Sequence, residues 1–313
     1  MTGASGYIGG TVADSLLKAG HTIVGLARNE AATARLRAHG IEAVRGDLGS
    51  HSVVRDAARA ADAVINCANA DDPFVTAAIL EGLAGSGKAL LHTSGSSIVG
   101  DKSAGKFSPK VYHEDTPYEP LPEKIQRVAI QRTVLAAAAQ GVRSVVLCPS
   151  LIYGEGRGAN PDSIQVPNLI RQAVKSGVPR YIGAGENVWS MVHIEDVCEA
   201  YLLAFEAAPA GSFFYLENGE TSFKAIVESI ARLLGGKVPA QSWSIDEAIA
   251  AWGPMASWFS LGGNSRINAD KARRMLGWKP KGAGLFDEIE RGWYRRQLEA
   301  GAYAPLARSA PAR

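Results

Sequence analysis

Three glycines, Gly3, Gly6 and Gly9, stand three residues apart in MTGASGYIGG and open a helical pattern. Glycine lets a backbone turn tightly and come close to a pyrophosphate, and the helix that follows offers its free N–H groups to the negative charge. The chemistry of such a loop is dinucleotide binding. A tight turn into a helix also needs glycine, so the residues that follow must carry the argument further. The next strand pattern ends at Ala27, 18 residues after Gly9, where a ribose-recognising side chain belongs. That side chain is Arg28, in GLARNE. An acid there binds the ribose 2′-hydroxyl of NAD, whereas an arginine accommodates the 2′-phosphate of NADP. NADP is the expected cofactor, with Glu30 close enough to leave NAD open.

A sheet has to hold these residues in place. Helical patterns at 10–19, 30–39, 53–60, 72–83 and 122–140 alternate with short apolar runs at 21–27, 41–45, 62–67, 88–93 and 142–148. That alternation, punctuated by glycine, predicts βαβ units and a doubly wound parallel α/β sheet. After Pro149 glycine, proline and aromatics become denser, and helices are expected at 162–176, 195–207, 223–234, 269–276 and 284–298. We expect a dinucleotide-binding domain over 1–155 to which 189–216 return. A smaller, discontinuous substrate lobe is expected over 156–188 and 217–305, with a disordered tail at 306–313. In a sheet ordered 3-2-1-4-5-6 the strand before the glycine loop is central. Almost nothing precedes Thr2, so the expectation is a truncated first strand and a natural protein with a few more apolar residues upstream.

Composition narrows the function. The 313 residues carry a net charge of +2 with both signs interleaved, without the basic stripe of a nucleic-acid binder or the apolar run of a membrane span. Cys67, Cys148 and Cys198 lack metal-ligand spacing, so no metal is expected and buried free thiols in a reducing, cytoplasmic protein are. A small-molecule substrate is the expected partner.

Motifs in order then point to a family. TGASGYIGG resembles the TGxxGxxG loop of the extended short-chain dehydrogenases/reductases, the NAD-dependent epimerase/dehydratase group. RGDL, INCAN, HTSGSS, CPSLIYGEG, WSMVHIEDVCEAYLLA and RINADKARRMLGWKP resemble further segments of that family across nearly the whole chain. The resemblance implies a Rossmann fold and a dinucleotide held by Thr2, Gly3, Ser5, Gly6, Tyr7, Ile8 and Gly9, with Arg28 at the ribose. It implies Asp47 and Leu48 at the adenine, Cys67, Ala68, Asn69 and Thr93 at strand ends beside the cofactor, and Arg127, Pro149 and Ile152 nearer the nicotinamide. Each residue also has a bland reading. Asp47 suits a turn cap, His193 a strand fastener, Asp196 the cap of a helix beginning near Val197, and Trp278 packing between lobes.

The family moves its proton with a tyrosine whose pKa is lowered by a lysine four residues on, a spacing that puts both on one helix face. This chain has no YxxxK. Aligning PEKIQRVAIQRTVLAAAAQG puts Arg127 at the lysine position and Glu123 at the tyrosine position, and the nearest tyrosines, Tyr112 and Tyr118, lie upstream. An arginine can hold a ribose hydroxyl but stays charged. Gly95 stands where a serine is usual, leaving Ser96 and Ser97 either to bind a substrate oxygen or to form an ordinary small-residue turn. Glu123 is either a desolvated general acid with a raised pKa or an ordinary acidic helix start. Trp189, Tyr153, Trp252, Trp258 and Phe259 either line a substrate pocket or pack as core. Two functions stay open: an NAD(P)H-dependent oxidoreductase or epimerase/dehydratase-like enzyme on a small carbonyl or alcohol, and a non-catalytic NADP(H)-binding redox sensor. Many relatives pair as homodimers through two helices of the cofactor lobe, and the alanine-rich helix after Arg127 suits either that pairing or the sheet.

Overall fold

The computed structural model describes residues 1–303. The chain runs α1 (Tyr7–Lys18), β1 (Val24–Ala27), α2 (Glu30–Arg37), β2 (Glu42–Arg45), α3 (His51–Ala60), β3 (Ala63–Asn66), α4 (Pro73–Leu83), β4 (Ala89–Thr93), α5 (Ile125–Ala136), β5 (Arg143–Pro149) and β6 (Leu151–Tyr153). It continues through α6 (Gln165–Ser176), β7 (Arg180–Ile182), β8 (Val188–His193), α7 (Ile194–Ala207), β9 (Ser212–Leu216), β10 (Glu220–Ser222), α8 (Phe223–Leu233), β11 (Gln241–Trp243), α9 (Ile245–Trp252), α10 (Asp270–Leu276), α11 (Leu285–Glu290) and α12 (Trp293–Glu299).

β3, β4, β5 and β9 form one parallel ladder, and β1 pairs in parallel with β2. Two residues join these pieces. The Met1 ammonium donates to the Val24 carbonyl and Leu26 N–H to that of Met1; on the other side Thr2 N–H donates to Ile65 and Cys67 N–H to Thr2. The order is therefore β2, β1, Met1–Thr2, β3, β4, β5, β9, as expected for a doubly wound sheet. Between β1 and β3 runs an apolar cleft of about 480 Å³, lined among others by Leu16, Ile23, Val54, Val64, Ile79 and Phe205.

Both faces of the sheet are covered, which is why its strands are apolar on both sides. α1 and α7 pack on one face through Val12, Leu16, Val197 and Tyr201. α3, α4 and α5 cover the other through Val54, Ile79, Leu83, Ile130 and Val134. The alanine-rich helix thus spends its apolar side on the sheet. A second core, around Leu169, Ile170, Phe223, Ile226, Ile289 and Tyr294, is built by α6, α8, α11 and α12. It lies beside β8, which pairs with β6 and β10.

Several expected elements differ. α1 starts at Tyr7, so Gly9 and Gly10 lie inside it; a methyl group at Gly10 would meet the Gly158 backbone at 2.8 Å. The helix expected over 122–140 is a 3₁₀ turn (Pro122–Lys124), α5 and a second 3₁₀ turn (Ala137–Gln140). The helix expected over 284–298 divides into α11 and α12, because Glu288 folds back to accept the Trp293 N–H, across a Gly292 with no room for a side chain. The capping box of α9, Ser244 with Glu247, was legible but unread. The expected tail at 306–313 lies outside the described residues.

Candidate active site

The glycine loop is fixed by contacts too close for any side chain. Gly3 has φ +67°, and a Cβ there would meet the Cys67 carbonyl oxygen at 2.5 Å; one at Gly9 would meet the Gly3 oxygen at 2.2 Å. Gly6 caps α1 without a side-chain hydrogen bond, and the first turn holds no acid. The helix start therefore presents unneutralised N–H groups, a cradle suited to a diphosphate. Ser5 and Ile8 are half-buried in this turn.

The other loop residues are tied down. Thr2 Oγ1 donates to Asn66 Oδ1 at 2.5 Å, and the Asn66 amide lies 3.1 Å from His92 Nδ1. The Tyr7 hydroxyl donates to the Gly154 carbonyl at 2.8 Å, so this phenol fastens the loop after β6 to α1. Arg157 completes that clasp with Asp14, Ser15 and Glu195.

At the ribose end Arg28 is exposed and has no hydrogen-bond or ion-pair partner among the described residues. Asn29 caps α2, and Glu30 faces Arg45 at 3.4 Å, so the one nearby acid already has a cationic neighbour. Asp47 accepts from Ser50 Oγ at 2.8 Å and closes a turn, which holds its carboxyl below the usual range; Leu48 beside it packs against the α3–α4 core. Cys67 and Ala68 are half-buried at the end of β3, and Asn69 accepts from Asp71 N–H. Thr93 differs from the expectation that it faces a cofactor: its hydroxyl is 2.6 Å from the Tyr201 phenol and donates to Cys67 Sγ, on the α7 side. Burial there pushes the Cys67 thiol up to about 11. Pro149 is buried at the end of β5, and Ile152 is half-buried on β6.

On the opposite side of the sheet edge a cation gathers the remaining candidates. Arg127 Nε and Nη2 reach Asp71 at 2.8 and 2.5 Å, a bidentate pair, and Nη1 stands 3.5 Å from Ser97 Oγ. The guanidinium holds the Asp71 carboxyl low. Arg127 and Ser97 therefore meet. Ser96 does not join them: its hydroxyl accepts from Ser265 Oγ at 2.8 Å and stitches the late chain to the end of β4.

Glu123 also departs from its catalytic reading. It pairs with Lys102 at 2.5 Å, which lowers its pKa, opposite to the rise a carboxylic general acid needs. Tyr118 and Tyr112 pack against Ile98, Val128, Cys148 and Tyr215, and burial raises the Tyr118 phenol to about 12. Among the described residues no phenol with a lowered pKa pairs with Arg127.

Sequence reasoning missed three neighbours. Asp71 was invisible as Arg127's partner because the pair spans 56 positions. Gln131 donates to Ser94 at 2.5 Å, holding the end of β4 against α5. Lys124, in PEKIQR, is only 6% exposed and stands 4.5 Å from the Phe259 ring centroid. Desolvation is the first cause of its lowered pKa, followed by the charge of Arg127. Phe259 is thus the one proposed pocket aromatic that meets charged groups of the site; Trp189 and Tyr153 are core. His193 caps α7 by accepting from Glu195 N–H. This corrects Asp196 as the cap: Asp196 instead accepts from Lys281 and Gly282 N–H, and Trp278 Nε1 donates to its carbonyl. Among the described residues no cluster of His, Cys, Asp and Glu could hold a metal, and no helix is long and apolar enough to cross a membrane.

Known proteins resemble this chain in sequence and fold. The model of the NAD dependent epimerase/dehydratase family matches residues 1–214. An uncharacterized protein of Schizosaccharomyces pombe is 32% identical over 92% of this chain and 97% of its own length. A 4-hydroxy-2-methyl-3-oxo-4-farnesyl-3,4-dihydroquinoline-1-oxide ketoreductase of Stigmatella aurantiaca is 25% identical over 89% of this chain and 90% of its own. Among solved structures, dTDP-glucose 4,6-dehydratase of Bacillus anthracis in complex with NAD superposes with a TM-score of 0.74 at 21% identity, covering 95% and 96% of the two chains.

Proposed function

This chain belongs to the NAD dependent epimerase/dehydratase family, and from that premise we propose that it reduces the carbonyl group of a small molecule with NADP(H). The observation that carries the reading is the joining of an unobstructed glycine cradle to the Arg127–Asp71–Ser97 cluster at the same edge of the sheet. The cradle and the α1 N-terminus bind the diphosphate. Arg28, without a side-chain partner among the described residues, supports the 2′-phosphate, while Glu30 is engaged by Arg45. When bound, the reduced dinucleotide supplies the hydride. Asp71 holds the guanidinium of Arg127 in one orientation, so Arg127 serves as a fixed cation for ribose or substrate hydroxyls, and Ser97 Oγ hydrogen-bonds the reacting oxygen. The ketoreductase relative matches nearly the whole chain and is consistent with a reductase.

A second reading has its own observation. The buried, raised phenol of Tyr118 leaves the usual proton donor without a substitute in kind, as in a dinucleotide sensor that has lost its chemistry. The deciding experiment is NADPH oxidation with product analysis over a panel of aldehydes, ketones and 3-oxo acids. We expect turnover on at least one class and weaker binding of NADH than NADPH. Tight NADPH binding with no product from any member would establish the sensor instead.

A further inference from the structure

Lys124 is a buried lysine whose ammonium finds no anionic partner. The residue is 6% exposed, and its Nζ makes no hydrogen bond or ion pair among the described residues and keeps a contact with solvent. The carboxylates that could neutralise it are spent elsewhere: Glu123 on Lys102, Asp71 on Arg127. What it does meet is the face of Phe259, at 4.5 Å, in the π-helical turn Ala256–Leu261 of the late chain. The ring also has Lys102 at 5.4 Å.

Its position is as telling as its isolation. Lys124 closes the 3₁₀ turn from which α5 starts, and Arg127 lies three residues on, so the two share one helix face. Arg127 reaches the Asp71 and Ser97 side chains at the strand ends, and Lys124 faces the late chain that closes over them. The groups around the ammonium are Arg127, Asp71 and Glu123 from its own side and Lys102 across the ring.

We propose that Lys124 is the proton donor of this site, standing in for the absent tyrosine. The assignment rests on the carbonyl-reductase reading above. In that step the carbonyl carbon takes the hydride pair from the reduced dinucleotide and the oxygen takes a proton from Lys124 Nζ. The product is an alcohol, the dinucleotide is left oxidised, and the neutral amine is reprotonated from water. Desolvation and the Arg127 charge favour release of that proton, and the two nearby carboxylates oppose it.

The test compares wild type with Lys124→Arg and Lys124→Met. Arginine keeps the charge and the contact with Phe259 but does not release a proton at working pH. Both variants are expected to bind NADPH within about twofold of wild type and to lose about 100-fold in turnover. The basic limb of the wild-type pH–rate profile is expected to vanish with them. Independently of turnover, NMR titration of ¹³C-methylated lysines should show one resonance titrating below the rest, absent from Lys124→Arg and shifted by NADPH. Wild-type turnover that survives in Lys124→Arg overturns the proton-donor role in favour of a charge anchor. Survival in Lys124→Met, or no such resonance, makes the residue structural. A wild-type protein that binds NADPH and reduces nothing overturns the reductase reading and this assignment with it.

Discussion

The two halves of the site are built by different means. The dinucleotide cradle is made of backbone: Gly3, Gly6 and Gly9 work because nothing projects from them, and the clearances at Gly3 and Gly9 are 2.5 and 2.2 Å for an added methyl. The chemical half is made of five side chains arriving from four places: Asp71 after β3, Ser97 after β4, Lys124 and Arg127 at the start of α5, and Phe259 from the late chain. A backbone site tolerates almost no substitution, whereas a side-chain site can exchange its members while the scaffold persists. A different proton donor, as proposed for Lys124, is a change of the second kind.

That contrast can be broken most forcefully at Gly9. Gly9→Val drives two methyl groups and a Cβ into the Gly3 carbonyl, so NADPH binding should fall by at least about 100-fold, read by isothermal titration. If Gly9→Val binds normally, the cradle is not defined by backbone clearance.

The halves meet at His92, and its titration sharpens how they are joined. His92 is fully buried, and burial lowers its pKa from 6.5 to about 4. The folded protein therefore keeps it neutral where the unfolded chain protonates it. Stability is intact above about pH 6.5 and is lost as pH falls toward 4, by about 3 kcal/mol over that window. Urea denaturation at pH 7, 5.5 and 4.5 should show this slope, and His92→Gln should flatten it. An unchanged slope in the variant would mean another group carries the acid sensitivity.

The smallest effect belongs to Arg28. Arg28→Ala should weaken NADPH by about 10-fold and leave NADH unaltered, since only the 2′-phosphate needs the guanidinium. Equal losses for both cofactors would place Arg28 outside ribose recognition.

The same division explains what could be read in advance. The doubly wound sheet follows from glycine-punctuated periodicity, and the cradle from spacing within nine residues. The strand at 21–27 shortened to β1 because its ladder with β2 begins only at Val24. Ser97 and Arg127 were legible through motif position, and the structure brings them within 3.5 Å. The ion pair of Glu123 with Lys102 and the bond of Thr93 to Tyr201 are not legible in the sequence because the partners lie 21 and 108 positions away. Lys124 was passed over because nothing in PEKIQR announces burial; that comes from Phe259, 135 positions later.

The stitching of the late chain to the end of β4 bears on how the protein is made. Ser265 holds Ser96, Asn264 holds Asp101, Ser103 and the Lys106 carbonyl, and Ile267 bridges to Tyr112. A ribosome delivers those partners only after more than four-fifths of the chain has emerged, so the segment after β4 waits for the contacts that fix it. Contacts this distant in sequence also slow refolding. During synthesis the glycine loop, Asp71, Ser97, Lys124 and Arg127 all emerge before the residues that lock the end of β4, so the last fifth of the chain closes over a site whose parts are already present.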